Sequence, residues 1–326
     1  MDMRRHDWAG MTVLVATIGA AMLYVVLCPT RLAADASRWG ASYFPNVALT
    51  TQNGDSVHFY DLIKGKTVAI DLIYTTCEYN CPLETGRLAQ VQALLADRMG
   101  RDLFFLSISI DPKHDTPAVL RTYADEFHAG PGWLFLTGKP KDVELLSKRL
   151  GLYSAPNRDN PDRHTPMLLV GNEATGQWIK DSALDNPRYV AQMIRTWMDG
   201  WKNAVTPKSY AEAPPIATTS RGQYLFTSKC TVCHTIGRGD KIGPDLAGIT
   251  SVRERSWLAR YIAAPDVMRN EGDPVARALF AKYKTVRMPN LSLTEAEAAD
   301  LVAYVDAQTA SDRGAPGAMK TEPKSK

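Results

Sequence analysis

The chain has 326 residues, a formal net charge of +3, 45% hydrophobic residues and 22% charged ones. This is the composition of an ordinary globular protein, and the charge is too small to imply a nucleic-acid partner. The length points to two domains. The five cysteines are too sparse for a disulfide scaffold. Four of them fall into two close pairs, Cys77/Cys81 and Cys230/Cys233, which suggests two separate sites of chemistry.

The N-terminus carries Arg4 and Arg5, followed by a nearly charge-free stretch over residues 9–28. About twenty apolar residues at helical rise span a bilayer core. Residues 1–30 are therefore expected to be a short cytoplasmic end and a transmembrane anchor, with the rest of the chain across the membrane. The rival reading is a cleaved signal peptide near Leu32-Ala33-Ala34, but the apolar stretch is longer than a usual signal core. Leu27 is too bulky for Cys28 to suit a lipoprotein, so Cys28 reads as a thiol at the membrane edge.

Residues 43–202 alternate strand-like and helix-like segments. Gln52-Asn53-Gly54-Asp55 is a hairpin turn signal between two short runs. Residues 67–74 and 103–110 are continuous apolar runs typical of buried strands. The spacing predicts helices over 82–99, 116–127, 141–150 and 187–201; Thr116 is the N-cap of the second, and Pro117 opens it. Residues 133–136 read as a short strand, and 167–170 with 177–180 as a strand pair closed by Gly176. This order predicts an α/β domain, a mixed sheet covered by helices.

Cys77 and Cys81 lie where a buried strand gives way to a helix. Thiols at i and i+4 are expected to share one face of a helical turn, with the positive end of the helix dipole favouring thiolates. Such a pair suits a nucleophile, a disulfide or a soft-metal clamp for copper(I). Trp133, Trp178, Trp197 and Trp201 read as packing, and His58, His114 and His128 as surface residues.

Residues 203–219 hold Pro207, Pro214 and Pro215 among small polar residues and read as a linker. Beyond it the pattern is all-helical, with helices expected over 220–228, 256–263, 274–283 and 294–308, the last starting at Thr294 with Glu297 completing a capping box, and a disordered tail over 310–326. Cys230-Thr231-Val232-Cys233-His234 opens this region. Two thiols three positions apart, followed by His, suit covalent attachment of haem c. The thiols of Cys230 and Cys233 add to the vinyl groups, and His234 binds iron. No second Cys pair follows that would complete a zinc site.

Residues 220–309 resemble a class I cytochrome c. The similarity rests on the haem motif, Gly243-Pro244-Asp245-Leu246, the Met288-Pro289 pair and a last helix with Leu301 and Tyr304. It implies Met288 as distal iron ligand, with Met268 the rival, and a backbone hydrogen bond near Pro244 fixing the His234 ring. Met/His ligation leaves no open position and suits electron transfer.

The first domain resembles the Sco/SenC family of thioredoxin-like copper proteins. The matching pieces are Cys77-x-x-x-Cys81-Pro82, residues 109–117 (Ser-Ile-Asp-Pro-Lys-His-Asp-Thr-Pro) and Arg163-His164-Thr165. The resemblance implies a copper site made by Cys77, Cys81 and His164. It also implies delivery of copper, or of reducing equivalents, to the copper centre of a terminal oxidase. Glu78 and Tyr79 depart from the Pro-Asp that often follows the first Cys in that family.

Together these readings predict a single-pass protein of the inner membrane with both domains on the periplasmic side. Its cofactors are one covalent haem c and a copper ion, and its partner is an oxidase subunit. The alternatives are a thiol–disulfide oxidoreductase acting on oxidase cysteines, with the haem as electron port, and an electron shuttle whose thiol domain only docks.

Overall fold

In the computed structural model, residues 40–155, 165–198 and 219–314 are described. The expected anchor, His164, nearly all of the linker and the end of the tail lie outside them. Among the described residues no helix is long and apolar enough to cross a membrane.

The first region is built on seven strands: β1 (Ala48–Thr51), β2 (Ser56–His58), β3 (Thr67–Ile73), β4 (Leu103–Ser109), β5 (Trp133–Gly138), β6 (Met167–Asn172) and β7 (Gln177–Ser182). They form one mixed sheet in the order β2-β1-β5-β4-β3-β6-β7. The three central strands β3, β4 and β5 run parallel, and the outer ones are antiparallel. The hairpin expected at Gln52–Asp55 joins β1 to β2, with Gly54 at φ 88° supplying a backbone conformation that side chains resist.

Among the described residues five helices flank the sheet: α1 (Phe59–Ile63), α2 (Cys81–Leu94), α3 (Pro117–Glu126), α4 (Pro140–Leu150) and α5 (Pro187–Thr196). Successive side chains of a strand point to opposite faces. Ala69 and Ile73 of β3 accordingly join Leu88, Leu120 and Ile194 from α2, α3 and α5. Val68, Ile70 and Leu72 join Ile63 and Leu146 from α1 and α4 on the other face. Coverage on both sides is why β3 and β4 read as mainly apolar runs; Asp71 and Ser107, which interrupt them, are buried with the Ser107 hydroxyl donating to the Asp71 carboxylate at 2.7 Å. The helix expected over 82–99 ends at Leu94, where Leu95 leaves helical geometry and a turn leads into β4. Residues 199–201, the expected end of the helix from 187, lie outside the described residues.

The second region is helical: α6 (Arg221–Leu225), α7 (Ile249–Val252), α8 (Arg255–Ala263), α9 (Pro265–Asn270), α10 (Pro274–Lys282) and α11 (Glu295–Gly314). A π-turn over Phe226–Cys230 continues α6 into the haem motif. At Gly222, α6 crosses α11 so closely that a Cβ would collide with the Asp300 carbonyl. The crossing sets Leu225, Phe226, Leu301 and Val305 into one apolar cluster. Thr294 and Glu297 form the expected capping box: each backbone N–H donates to the other's side chain, at 2.9 and 3.3 Å. The last helix runs to Gly314, six residues past the expected end at 308. The stretch holds no Pro, and a Gly falls at its terminus.

Candidate redox sites

Strands β3 and β4 are parallel and end together, with Ile73 opposite Ser109. The loops that follow them therefore emerge side by side at the carboxyl edge of the sheet, where α/β folds build sites. One loop carries Thr75 and Cys77; the other is the 109–117 segment. Asp115 ties the two together. Its carboxylate is fully buried and accepts from Thr75 Oγ1 at 2.5 Å, Ser109 Oγ at 2.6 Å and the Thr75 N–H at 3.1 Å. His114 is an exposed residue, as expected, but its Nδ1 also lies 3.3 Å from Asp115.

Cys77 and Cys81 are both free thiols and both buried. They do not share a helical turn. Cys81 is the first residue of α2, and Cys77 lies in the preceding loop, with its N–H bonded to the Tyr74 carbonyl at 3.2 Å. Pro82, which lacks an N–H, marks the first turn and so fixes the helix start after Cys77. The loop bends to bring the thiols together, and they titrate apart. The Cys77 thiol is lowered to about 6, first by a hydrogen bond from the Cys81 thiol, then by the Cys81 N–H, the Tyr74 side chain and the Tyr79 N–H. Burial, the hydrogen bond to Cys77 and the nearby charges of Cys77 and Glu84 push Cys81 well up. Cys77 is thus the thiolate and Cys81 the thiol. With selectively 13C-labelled cysteine, the Cys77 Cβ resonance is expected to titrate with a midpoint near 6. The thiolate would be present above that pH and lost below it, with no step from Cys81 in the range. A midpoint near the unperturbed thiol value of about 8.5 would remove this assignment.

The second pair behaves oppositely. Burial pushes Cys230 up to about 12 and Cys233 up to about 11. Both border a cavity of about 320 Å3, shared with His234, Met288, Trp257 and Leu83. The His234 Nδ1–H donates to the Pro244 carbonyl at 2.8 Å, which leaves Nε2 as the basic nitrogen. Gly243 packs against this ring: a Cβ there would lie 2.5 Å from His234 Cε1. The Asp245 carboxylate, held at about 2, accepts from the backbone N–H groups of Ala247, Gly237 and Gly239 and shapes the loop that returns to Pro244. An oriented imidazole, a thioether and two thiols around one largely apolar cavity fit a covalently held haem. Met288 borders that cavity; Met268 does not, and packs as a buried residue of α9.

The two sites adjoin. Leu83, two residues after Cys81, borders the haem cavity. Val232, between Cys230 and Cys233, packs on Gly86 of α2, where a Cβ would collide with it. Arg87 donates to the Asp185 carbonyl at 2.7 Å and, with its other terminal nitrogen, to the Ser228 carbonyl. Sequence reasoning gave no role to Tyr74, Leu83, Gly86 or Asp115. Only Asp115 had a signal, its place in the 109–117 segment. Among the described residues no cluster of three metal-ligating side chains occurs; His164, the expected third copper ligand, is outside them.

The sheet, the thiol loop and the helical region define a thioredoxin-like domain joined to a cytochrome c domain. The SCO1/SenC family model matches residues 37–199, half of the chain, and the cytochrome c model matches residues 219–309. The chain belongs to the SCO1/SenC family and carries a cytochrome c domain, which implies haem c. A SCO2-like protein of Rickettsia felis is 27% identical over 155 residues, covering 45% of this chain and 73% of its own. The SCO1 protein homolog of Bacillus subtilis is 27% identical over 180 residues, 53% of this chain and 89% of its own. The crystal structure of a SCO1/SenC family lipoprotein from Bacillus anthracis is 23% identical with a TM-score of 0.42, covering 48% of this chain and 94% of that one.

Proposed function

We propose that this protein handles copper and transfers single electrons at the outer face of the inner membrane, for assembly of the copper centre of a terminal oxidase. The observation that carries the reading is the adjacency of a thiolate–thiol pair and a haem cavity on one chain, with Leu83 beside both. Copper is the cargo, held by Cys77 and Cys81, with His164 as the third ligand. Thiolate sulfur and imidazole together accommodate copper in both oxidation states. Bound haem, on Cys230 and Cys233 with His234 and Met288 at the iron, supplies or accepts one electron. Copper(II) taking one electron to become copper(I) matches that count without a second carrier. The apolar stretch over residues 9–28, after Arg4 and Arg5, would anchor the chain as a single span. Haem-loaded protein with its thiols reduced and its haem ferric, so that the haem has no electron to give, is titrated with copper(II) and is expected to gain a thiolate-to-copper charge-transfer band at one equivalent. Cys77→Ser should abolish the band and leave the haem spectrum unchanged. Full haem with no bound copper would sink the proposal.

The divergent thiols favour a second reading, a thiol–disulfide oxidoreductase acting on oxidase cysteines. The Cys77 thiolate would attack a partner disulfide, and Cys81 would resolve the mixed disulfide, leaving the partner reduced and a Cys77–Cys81 disulfide. Two electrons, delivered singly, would then be needed to regenerate the pair. Turnover of a disulfide substrate without copper would favour this reading over the first.

A further inference from the structure

Glu78, the residue after Cys77, is gripped by the haem domain. Its carboxylate accepts from Arg269 at 2.6 Å and from Arg287 at 3.4 Å. Its backbone carbonyl accepts from the Asn290 N–H at 2.7 Å. Arg287 and Asn290 flank Met288-Pro289, so Glu78 grips the chain on both sides of the expected iron ligand. The arginines are held from behind as well. Both guanidinium groups lie over the Phe280 ring, at 4.5 and 4.3 Å from its centre, and Phe280 borders the haem cavity. Asn290 is anchored in turn to Asp266 at 2.7 Å. All three charged side chains are at most a quarter exposed, which spares their attraction the screening that weakens surface ion pairs.

We infer that Glu78 is a latch between the two sites, a positioning residue that holds the Met288 loop against the haem cavity and makes the hold on Met288 depend on the state of the thiol pair. The geometry leaves little room for independence. Cys77 cannot change its environment, by taking copper or by bonding to Cys81, without disturbing the residue covalently next to it. That residue contacts the Met288 loop at two points, Arg287 and Asn290, and α9 at a third, Arg269. The haem domain is thus the thiol loop's own intramolecular partner, recognised by two arginines that clamp one carboxylate.

The inference rests on Met288 being an iron ligand, and the test separates the two claims. Imidazole, which displaces a weakly held Met from ferric haem, is titrated into the full haem-loaded protein while the long-wavelength Met–iron band is followed. Glu78→Ala is expected to tighten imidazole binding at least fivefold, and Glu78→Gln to do so by less. Arg269→Gln should act in the same direction but by less than Glu78→Ala, because Arg287 keeps its contact, and adding Arg269→Gln to Glu78→Ala should change little further, because Arg269 acts through Glu78. Loading the wild-type thiols with copper(I), or oxidising them to a disulfide, should shift imidazole affinity; in Glu78→Ala the shift should vanish. A wild-type spectrum without the Met–iron band would overturn the assignment of Met288 and the latch with it. A normal band with imidazole affinity indifferent to Glu78 and Arg269 would overturn the latch alone.

Discussion

Replacing Asp115 with Ala is expected to destabilise the thioredoxin-like domain by about 3 kcal/mol or more and to loosen the thiol loop. The carboxylate is fully buried and satisfies both donors of the half-buried Thr75 and the hydroxyl of the fully buried Ser109, so its removal takes the shared acceptor from three donors at once. Hydrogen bonds to a charged acceptor are among the stronger ones, and buried unpaired donors add their own desolvation cost. The loss should appear as a lower denaturation midpoint by circular dichroism. Because Thr75 leads directly to Cys77, the Cys77 titration should also move back toward an ordinary thiol. Asp115→Asn keeps one acceptor and should recover part of the stability. A change below about 0.5 kcal/mol in Asp115→Ala, the size usual for an unremarkable surface site, would show that the loops hold without this bridge.

Gly243→Ala should disturb the haem site far more than one methyl group suggests. The new Cβ would sit 2.5 Å from His234 Cε1 and 2.9 Å from Nδ1. The ring must then tilt or the backbone must retreat, and either movement strains the hydrogen bond to Pro244. Overpacking of this kind costs about 1–3 kcal/mol. The ring that moves is the one expected to bind iron, so part of the cost should appear as weaker proximal ligation. The optical and electron paramagnetic resonance spectra should show a high-spin fraction in Gly243→Ala that is absent from the wild type. A purely low-spin spectrum at unchanged stability would mean that the ring has room to spare.

What the sequence disclosed depended on how locally each feature is encoded. The strands at Thr67–Ile73 and Leu103–Ser109 were legible because apolar runs bounded by polar turns have few other readings. Thr116 before Pro117, and Thr294 three residues before Glu297, announced their helix starts through capping chemistry confined to a few residues. Short helices without such periodicity, Ile249–Val252 and Pro265–Asn270, left too little pattern to find. The relation of Cys77 to α2 was misread even though Pro82 pointed to the right helix start, because a spacing of four suggests a helical pair wherever a helix is near. The contacts that define the sites were beyond local reading. Thr75 meets Asp115 forty residues later, and Arg269 meets Glu78 across 191 residues. Such pairings follow from strand order and domain packing rather than from any short motif.

Val286, which precedes the Arg287–Asn290 segment, belongs to the same apolar cluster as Leu88, Tyr123 and Phe127 of the thioredoxin-like domain. The two halves of the chain therefore share a folding unit at their boundary. Unfolding one half exposes apolar surface on the other, so the free energies of the two are linked and not simply summed. Any ligand that binds only the folded form of one half raises the stability of both. Haem attachment in the second half would, on these grounds, also protect the cysteine pair of the first against unfolding and unwanted oxidation.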